Sequence, residues 1–433
     1  MKFTSPIKRG INFYRLYGAR RFCWAVLRKI RQHLGPPKVH PGAGLTRPGD
    51  PYAAYDVVPS LPTIDPSFRP AVKVMGRPKI AIIGDLNLPQ CRKYRVMQKL
   101  EALGGLGISA DYSHWEDVPR SMGCLQLATF VIFYRTRMGN LFKLYIKECE
   151  RLKIPFSYDI DDPIFSEEIY RANKNLDHLD PSEMSALLDS AELHLQAMLA
   201  CNFVIVSTPR LQREAQKLTN KPVFLWRNAV DEETINALSH LTNTPDQASP
   251  ENGRVGIVYA SGSRAHEADF REIEAALSEV LDRHPNVQLT VIGYLNLPDN
   301  FARFEDRIVV EPFIDYVGYM EILARSNINI IPLIPDDFND CKSAIRYMEA
   351  SLVKLPTVAS KIGDFQHIID HGRSGFLASS DAEWKQILQS LILDQELRNR
   401  VGAAAEVNVV GELVVAKVAN ELPGGLQDLL HAH

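Results

Sequence analysis

At 433 residues, 45% of them apolar and 23% charged, the chain has the length for roughly two or three domains with full-sized hydrophobic cores. Its six cysteines (Cys23, Cys91, Cys124, Cys149, Cys201 and Cys341) form no CxxC pair and share no zinc-like spacing with histidine, which argues against a structural metal and for a reducing cytosol. No apolar run approaches the ~20 residues that span a bilayer, and the N-terminus lacks a secretory apolar segment. The protein is therefore expected to be made and kept inside the cell.

The net charge of −3 conceals an asymmetry at the N-terminus. Lys2, Lys8, Arg9, Arg15, Arg20, Arg21, Arg28, Lys29 and Arg31 all precede the first acid, Asp50, while Phe13, Leu16, Cys23, Leu27, Ile30 and Leu34 recur at helical spacing. Residues 1–34 read as a basic amphipathic helix suited to an anionic membrane surface, where each basic group contributes about 1 kcal/mol. Nucleic acid is not an expected partner, because no strand motif of interleaved aromatic and basic residues accompanies the charge. Gly35-Pro36-Pro37 stops the helix, and the Pro- and Gly-rich stretch 35–78 reads as a linker.

From Lys79 the chain alternates short β-rich runs with helical stretches. Strands are predicted at Ile80–Ile83, Phe130–Tyr134, Pro155–Asp159, Phe203–Ser207 and Val223–Trp226, with helices over Leu141–Arg151 and Pro181–Ala200. After a breaker-rich linker at 241–253, strands follow at Val255–Tyr259, Gln288–Ile292, Ile308–Val310, Ile328–Pro332, Thr357–Ala359 and Gly375–Leu377. Helices are expected at Phe270–His284 and Tyr316–Arg325. The fold class is therefore α/β: two Rossmann-like, doubly wound domains (79–240 and 254–402) facing each other across a cleft. In the tail 403–433, the Ala/Val-rich stretch Ala403–Leu422 reads as a helix returning across the domains.

In such sheets ligands bind beyond the carboxyl ends of the strands, so polar residues there are the site candidates. In the first half these are Asp85, Arg92 and Arg95 after the first strand, Arg135 after the Phe130–Tyr134 strand, and Asp159-Ile160-Asp161-Asp162. Three acids so close resemble a divalent-cation motif, but too few further oxygen ligands accompany them; capping suits Asp161 and Asp162, with Asp159 facing the cleft. The first strand is not followed by GxGxxG, which removes the main support for hydride chemistry. In the second half, Gly262 permits close backbone approach to a ligand, Ser263 can donate or cap, and Arg264 can pair with phosphate. Gly293 and Glu311-Pro312-Phe313 end the next two strands. The richest stretch is Asn339-Asp340-Cys341-Lys342-Ser343-Ala344, leading into a helix that carries Glu349 on its third turn. A helix N-terminus attracts phosphate, and a carboxylate further along suits a ribose diol.

These segments together resemble a GT-B glycosyltransferase of the family 4 (group 1) type, in its bacterial polysaccharide-assembly branch, over roughly Lys79 to Val401. The carriers are Tyr158-Asp159-Ile160-Asp161-Asp162, Val206-Ser207-Thr208-Pro209, Arg227-Asn228-Ala229-Val230-Asp231, Gly262-Ser263 with His266 and Asp269-Phe270, Leu289-Thr290-Val291-Ile292-Gly293, the Lys342–Ser360 run, and His371-Gly372 with Gly375-Phe376-Leu377. The resemblance implies transfer of a sugar from a nucleotide-diphosphate donor to a lipid-linked or growing glycan acceptor in cell-surface polysaccharide synthesis. It also implies retention of anomeric configuration, no metal, and no cofactor, the nucleotide-sugar being a substrate. Asp159 occupies the strand end where many relatives place a catalytic-site histidine, and Arg264 and Lys342 are the cations available to the departing diphosphate. Glu349 matches the second Glu of the family's paired-Glu motif, and Gly262, Ser263, His266, Gly293, Asn339, Asp340, Ser343 and Ala344 complete the expected donor side. Asp85, Arg92, Arg95 and Arg135 fall on the acceptor side. The first Glu of the motif is replaced by Cys341, and the usual Arg…Lys pair is incomplete. A non-catalytic scaffold subunit or a sugar-nucleotide epimerase are the alternatives. The expected location is the cytoplasmic face of the plasma membrane, bound peripherally through residues 1–34.

Overall fold

The computed structural model describes residues 78–431 apart from 233, 237, 239–253, 263–265 and 313. The basic helix 1–34, all but the last residue of the linker 35–78, the linker 241–253, Ser263 and Arg264 lie outside the described residues.

Two parallel six-stranded sheets organise the chain. The first has the order β2-β1-β3-β4-β5-β6, with β1 Lys79–Gly84, β2 Ser109–His114, β3 Phe130–Tyr134, β4 Phe156–Ile160, β5 Phe203–Val206 and β6 Val223–Leu225. The second runs β12-β11-β10-β7-β8-β9, with β7 Val255–Gly262, β8 Val287–Gly293, β9 Ile308–Glu311, β10 Ile328–Ile331, β11 Thr357–Ser360 and β12 Phe376–Ala378. Central strands such as Phe130–Tyr134 and Phe156–Ile160 are buried along their whole length, because helices cover both faces of each sheet. That burial is why Phe130–Tyr134 appears in the sequence as an apolar run, whereas Phe156–Ile160 also buries Ser157 and Asp159.

β2 has no counterpart among the predicted strands. It is an edge strand of sequence Ser-Ala-Asp-Tyr-Ser-His in which only Ser113 is buried, so it carries no apolar signal. The expected Phe270–His284 helix is two helices, Glu267–Arg271 and Glu274–Arg283. The Ala403–Leu422 stretch also divides: the Gln395–Glu412 helix packs in the second half, then Leu413 turns the chain and Val415–Asn420 crosses to the first. There Val415, Val418, Ala419, Leu422, Leu426 and Leu430 join Ile80, Val96, Phe130 and Trp226 in one core. A backbone bond from Val230 N to Leu413 O (2.8 Å) and another from Val415 N to Val230 O (3.0 Å) fasten the crossing.

Each sheet reverses its winding at a switch point, between β1 and β3 in the first and between β7 and β10 in the second. The last residue of β1 is Gly84, where a Cβ would lie 2.6 Å from the Tyr134 carbonyl oxygen. No helix among the described residues is long and apolar enough to cross a membrane.

Candidate active site

The second half builds its side of the site from the loop after β10. Asp336 caps the short Asp337–Asp340 helix by accepting from Asn339 N at 2.7 Å, and the chain then passes through Cys341–Ala344 into the Ile345–Leu352 helix. Because that helix starts only at Ile345, Glu349 stands on its second turn rather than its third. Ala344, at the N-cap position, has no capping side chain, and the Asp364 carboxylate takes its N–H instead. Ser343 Oγ accepts from Asn228 Nδ2 of the first half at 2.8 Å. Asp340 accepts from Gly363 N at 2.8 Å and pairs with Arg210, while Gly293 ends β8 with φ 94°.

Asp269, fully buried, is the hub of this side. Its Oδ1 accepts from Asn339 Nδ2 (2.8 Å), Ile334 N (2.9 Å) and Asn175 Nδ2 (3.0 Å), the last from the first half. Its Oδ2 faces His266 Nδ1 at 2.8 Å, and His266 Nε2 in turn lies 3.3 Å from Arg346 Nη2. Burial, with Lys342 and Arg346 close by, pushes the His266 imidazole down to about 4, so the ring is neutral near pH 7. Burial raises the Asp269 carboxyl, but the His266 hydrogen bond and the Lys342 charge outweigh it and hold Asp269 below the usual carboxylate range. Asn339 is sealed in this network and Lys342 is half-buried. Burial draws the Lys342 ammonium below its ordinary value.

Glu349 is buried, and its two oxygens are held by tyrosines from different halves. Tyr94 OH donates to Oε1 at 2.6 Å and Tyr319 OH to Oε2 at 3.1 Å. Burial raises the Glu349 carboxyl, against the pull of both hydroxyls. Tyr94 reaches across because it lies in a π-helical turn, Arg92–Met97, whose wider winding turns Tyr94, Arg95 and Val96 inward together.

In the first half the outcome for Asp159 differs from the expectation. It is fully buried rather than facing the cleft: Arg95 Nε and Nη2 grip its two oxygens at 2.9 Å each, and Lys99 Nζ lies 2.8 Å away. Arg95 Nη1 also donates to Trp226 O and Asn228 Oδ1, so Arg95 too is interior and not open to a ligand. Burial and the Arg95 charge bring Lys99 down to about 7. Asp161 and Asp162 are not helix caps; they share Arg135, whose φ of 49° turns its side chain towards them. Burial raises both carboxyls, yet the Arg135 and Arg95 charges bring Asp161 below its ordinary value while Asp162 stays above. Asp85 closes a local turn through Asn87 N (2.9 Å), and exposed Arg92 donates to Tyr112 OH at 2.8 Å. Both stand at the rim rather than with the Glu349 cluster.

Lys342, His266, Asn339, Ser343, Ala344 and Glu349 are thus gathered around one loop and helix. Asp159 and Arg95 form a separate interior ion cluster. Cys341, in the place of the first motif Glu, is fully buried in the first half's core, and its carbonyl accepts from Thr208 Oγ1 at 2.9 Å. The residues missed in the sequence are Tyr94, Asn175, Tyr319 and Arg346. Only Arg346 carried a signal, being a basic residue one helical turn before Glu349 in the richest stretch.

Residues 256–394 match the family described as glycosyl transferases group 1. No curated protein matches the chain in sequence. Among solved structures the chain is similar to HepE of Anabaena in complex with UDP and glucose, with a TM-score of 0.53, 14% identity, and coverage of 80% of this chain and 98% of that one. It is also similar to sucrose-phosphate synthase from Thermosynechococcus elongatus, with a TM-score of 0.55 and 14% identity over 82% of this chain and 100% of the other. With paired Rossmann-like sheets and a C-terminal crossing the chain has the GT-B fold, and its residues 256–394 match the glycosyl transferases group 1 family.

Proposed function

We propose that the enzyme transfers a sugar from a nucleotide-diphosphate donor to a lipid-linked or growing glycan acceptor, with retention and without a metal, in the assembly of a cell-surface polysaccharide. The observation that carries this reading is the juxtaposition of Lys342, the N-terminal end of the Ile345–Leu352 helix and Glu349 beside the β7/β10 switch point. A positive helix end and an ammonium suit the diphosphate, and the carboxylate one turn further suits the ribose hydroxyls. HepE, which shares the fold, was solved with UDP-glucose, and the donor class is carried over from that likeness. Transfer breaks the bond from the anomeric carbon to the diphosphate oxygen and forms one to an acceptor oxygen, and the acceptor proton leaves with the diphosphate. Charge gathers on the departing phosphate, where fixed cations stabilise it most.

Acceptor binding is assigned to the first half, with Asp85, Arg92 and Arg135 the nearest polar groups at its strand ends. Asp159 acts from the interior, fixing Arg95 and hence the π-helical turn that carries Tyr94. The basic segment 1–34 would hold the enzyme at the cytoplasmic face of the plasma membrane. The test is nucleotide release from UDP-, GDP- and dTDP-sugars in the presence of membrane extract. Donor-dependent release that requires the extract supports transfer; no release from any donor removes the reading.

A further inference from the structure

Several buried or half-buried cations of the two halves are each neutralised by a carboxylate. Asp159 serves Arg95 and Lys99, Asp161 and Asp162 serve Arg135, Asp231 serves Lys93, Asp340 serves Arg210, and Asp364 serves Arg227. Lys342 and Arg346 depart from this pattern. Neither forms an ion pair among the described residues: Lys342 Nζ lies 5.6 Å from the Phe338 ring centroid, and Arg346 ends on the ring nitrogen of His266. Both are half-buried and four residues apart, Lys342 just before the helix and Arg346 in its first turn, and Lys342 feels the Arg346 charge together with the carboxylates of Asp269, Asp162 and Asp336, none of which is ion-paired with it. Those carboxylates offset part of the mutual repulsion, and an anion bound by both cations would relieve it directly.

The geometry points to Arg346 as a second diphosphate-binding residue beside Lys342, held in position by the Asp269–His266 pair. The inference rests on the donor reading above and adds a residue to it. Asp269 accepts only, so His266 carries its proton on Nδ1, and its Nε2 lone pair is satisfied by an N–H of Arg346. A neutral imidazole orients the guanidinium without cancelling its charge. A carboxylate in that place would neutralise Arg346 and abolish the anion seat, and a protonated histidine would add a third positive group. The remaining N–H groups of Arg346 form a fork that matches phosphate oxygens. Arg346 in this way supplies a cation to a chain in which the family's Arg…Lys pair is incomplete.

Titration calorimetry on the full chain tests this with inorganic diphosphate, with UDP, GDP and dTDP, and with the corresponding nucleosides. The wild type is expected to bind inorganic diphosphate and at least one nucleotide. Arg346→Ala and Arg346→Gln should each weaken both by about tenfold or more, leave nucleoside binding in place, and Arg346→Lys should recover part of the loss. His266→Ala, which leaves Arg346 unheld, should weaken diphosphate binding while nucleoside binding stays in place, and His266→Gln, which keeps a neutral acceptor, should recover part of that loss. Equal binding of diphosphate and nucleotide by wild type and both Arg346 variants overturns the inference and leaves the donor reading standing. A wild type that binds neither inorganic diphosphate nor any of the nucleotides overturns both. Loss of nucleoside and diphosphate affinity alike in the folded Arg346 variants would show a merely structural role and also overturn it.

Discussion

The Tyr94 hydroxyl donates to Glu349 Oε1 at 2.6 Å, linking the π-helical turn of one half to the Ile345–Leu352 helix of the other. If Glu349 receives a ribose hydroxyl, Tyr94 already occupies one of the oxygens it would use. Donor binding must then displace Tyr94, and Tyr94→Phe should bind nucleotide diphosphate severalfold more tightly while losing about 1 kcal/mol of stability with the hydrogen bond. Calorimetry and chemical denaturation together check this. Unchanged or weaker nucleotide binding by Tyr94→Phe would rule out competition for that oxygen.

Removing the carboxylate itself has two consequences. Glu349→Ala should weaken nucleotide binding by about 1.5–3 kcal/mol, tenfold or more, as expected for a hydrogen bond to a charged group. It also leaves Tyr94 and Tyr319 without their acceptor in a buried place, so a fall in the thermal midpoint accompanies it. Glu349→Gln keeps an acceptor for one tyrosine and offers its NH2 to the hydroxyl oxygen of the other, which separates the effects: stability should return in part while affinity stays low. Affinity equal to wild type in a folded Glu349 variant removes Glu349 from the donor site.

How far the sequence revealed these features depended on whether a residue's neighbours were near in the chain. The apolar run at Phe130–Tyr134 announces a buried parallel strand, because covering both faces favours apolar side chains. β2 stayed hidden because an edge strand with one buried residue has no such demand. The Lys342–Glu349 segment was legible because loop, helix start and carboxylate are contiguous. Asp159 was not: its burial depends on Arg95 and Lys99, which arrive from a different helix, and strand-end position alone does not distinguish a cleft carboxylate from one sealed by two cations. Tyr94 depends on a π turn, for which the sequence carries no periodic signature.

The ion pairing bears on metal dependence. Asp159 is engaged by Arg95 and Lys99, and Asp161 and Asp162 by Arg135, so none of the three stands ready as a ligand in this arrangement. With Lys342, Arg346 and a helix end serving the diphosphate, sugar transfer should survive EDTA. Complete loss of activity on chelation, restored by Mg²⁺ or Mn²⁺, would instead make Asp161 and Asp162 metal ligands.

Acid stability should follow two histidines. Burial is the first cause that brings His266 and His194 each down to about 4 from an ordinary value near 6.5. Both are neutral when folded and take up protons more readily when unfolded, so their contribution is complete above about pH 6.5. It is lost progressively as pH falls from there towards about 4, each group accounting for up to about 3 kcal/mol by linkage. Denaturation midpoints should drop between pH 7.5 and 4.5, and His194→Gln with His266→Gln should flatten the profile. An equally steep profile in the double variant would place the acid sensitivity elsewhere.

The last prediction concerns residues 1–34, the segment proposed to attach the enzyme to a membrane. Nine basic residues on and beside an apolar stripe of Phe13, Leu16, Cys23, Leu27, Ile30 and Leu34 precede the first acid. At about 1 kcal/mol for each basic group close to an anionic leaflet, together with burial of Trp24, Leu27 and Ile30, the segment should attach stably but in a salt-sensitive way. Gly35-Pro36-Pro37 is a helix-breaking sequence after the segment, so removal of 1–34 should leave nucleotide binding unchanged. Full-length protein is expected to sediment with liposomes rich in anionic lipid at low salt, less so at high salt, and weakly with neutral liposomes. The chain lacking 1–34 should stay in the supernatant under all these conditions. Full-length protein that ignores anionic liposomes at low salt, or a truncated chain that no longer folds, would assign the segment to the protein's own core instead of to a lipid surface.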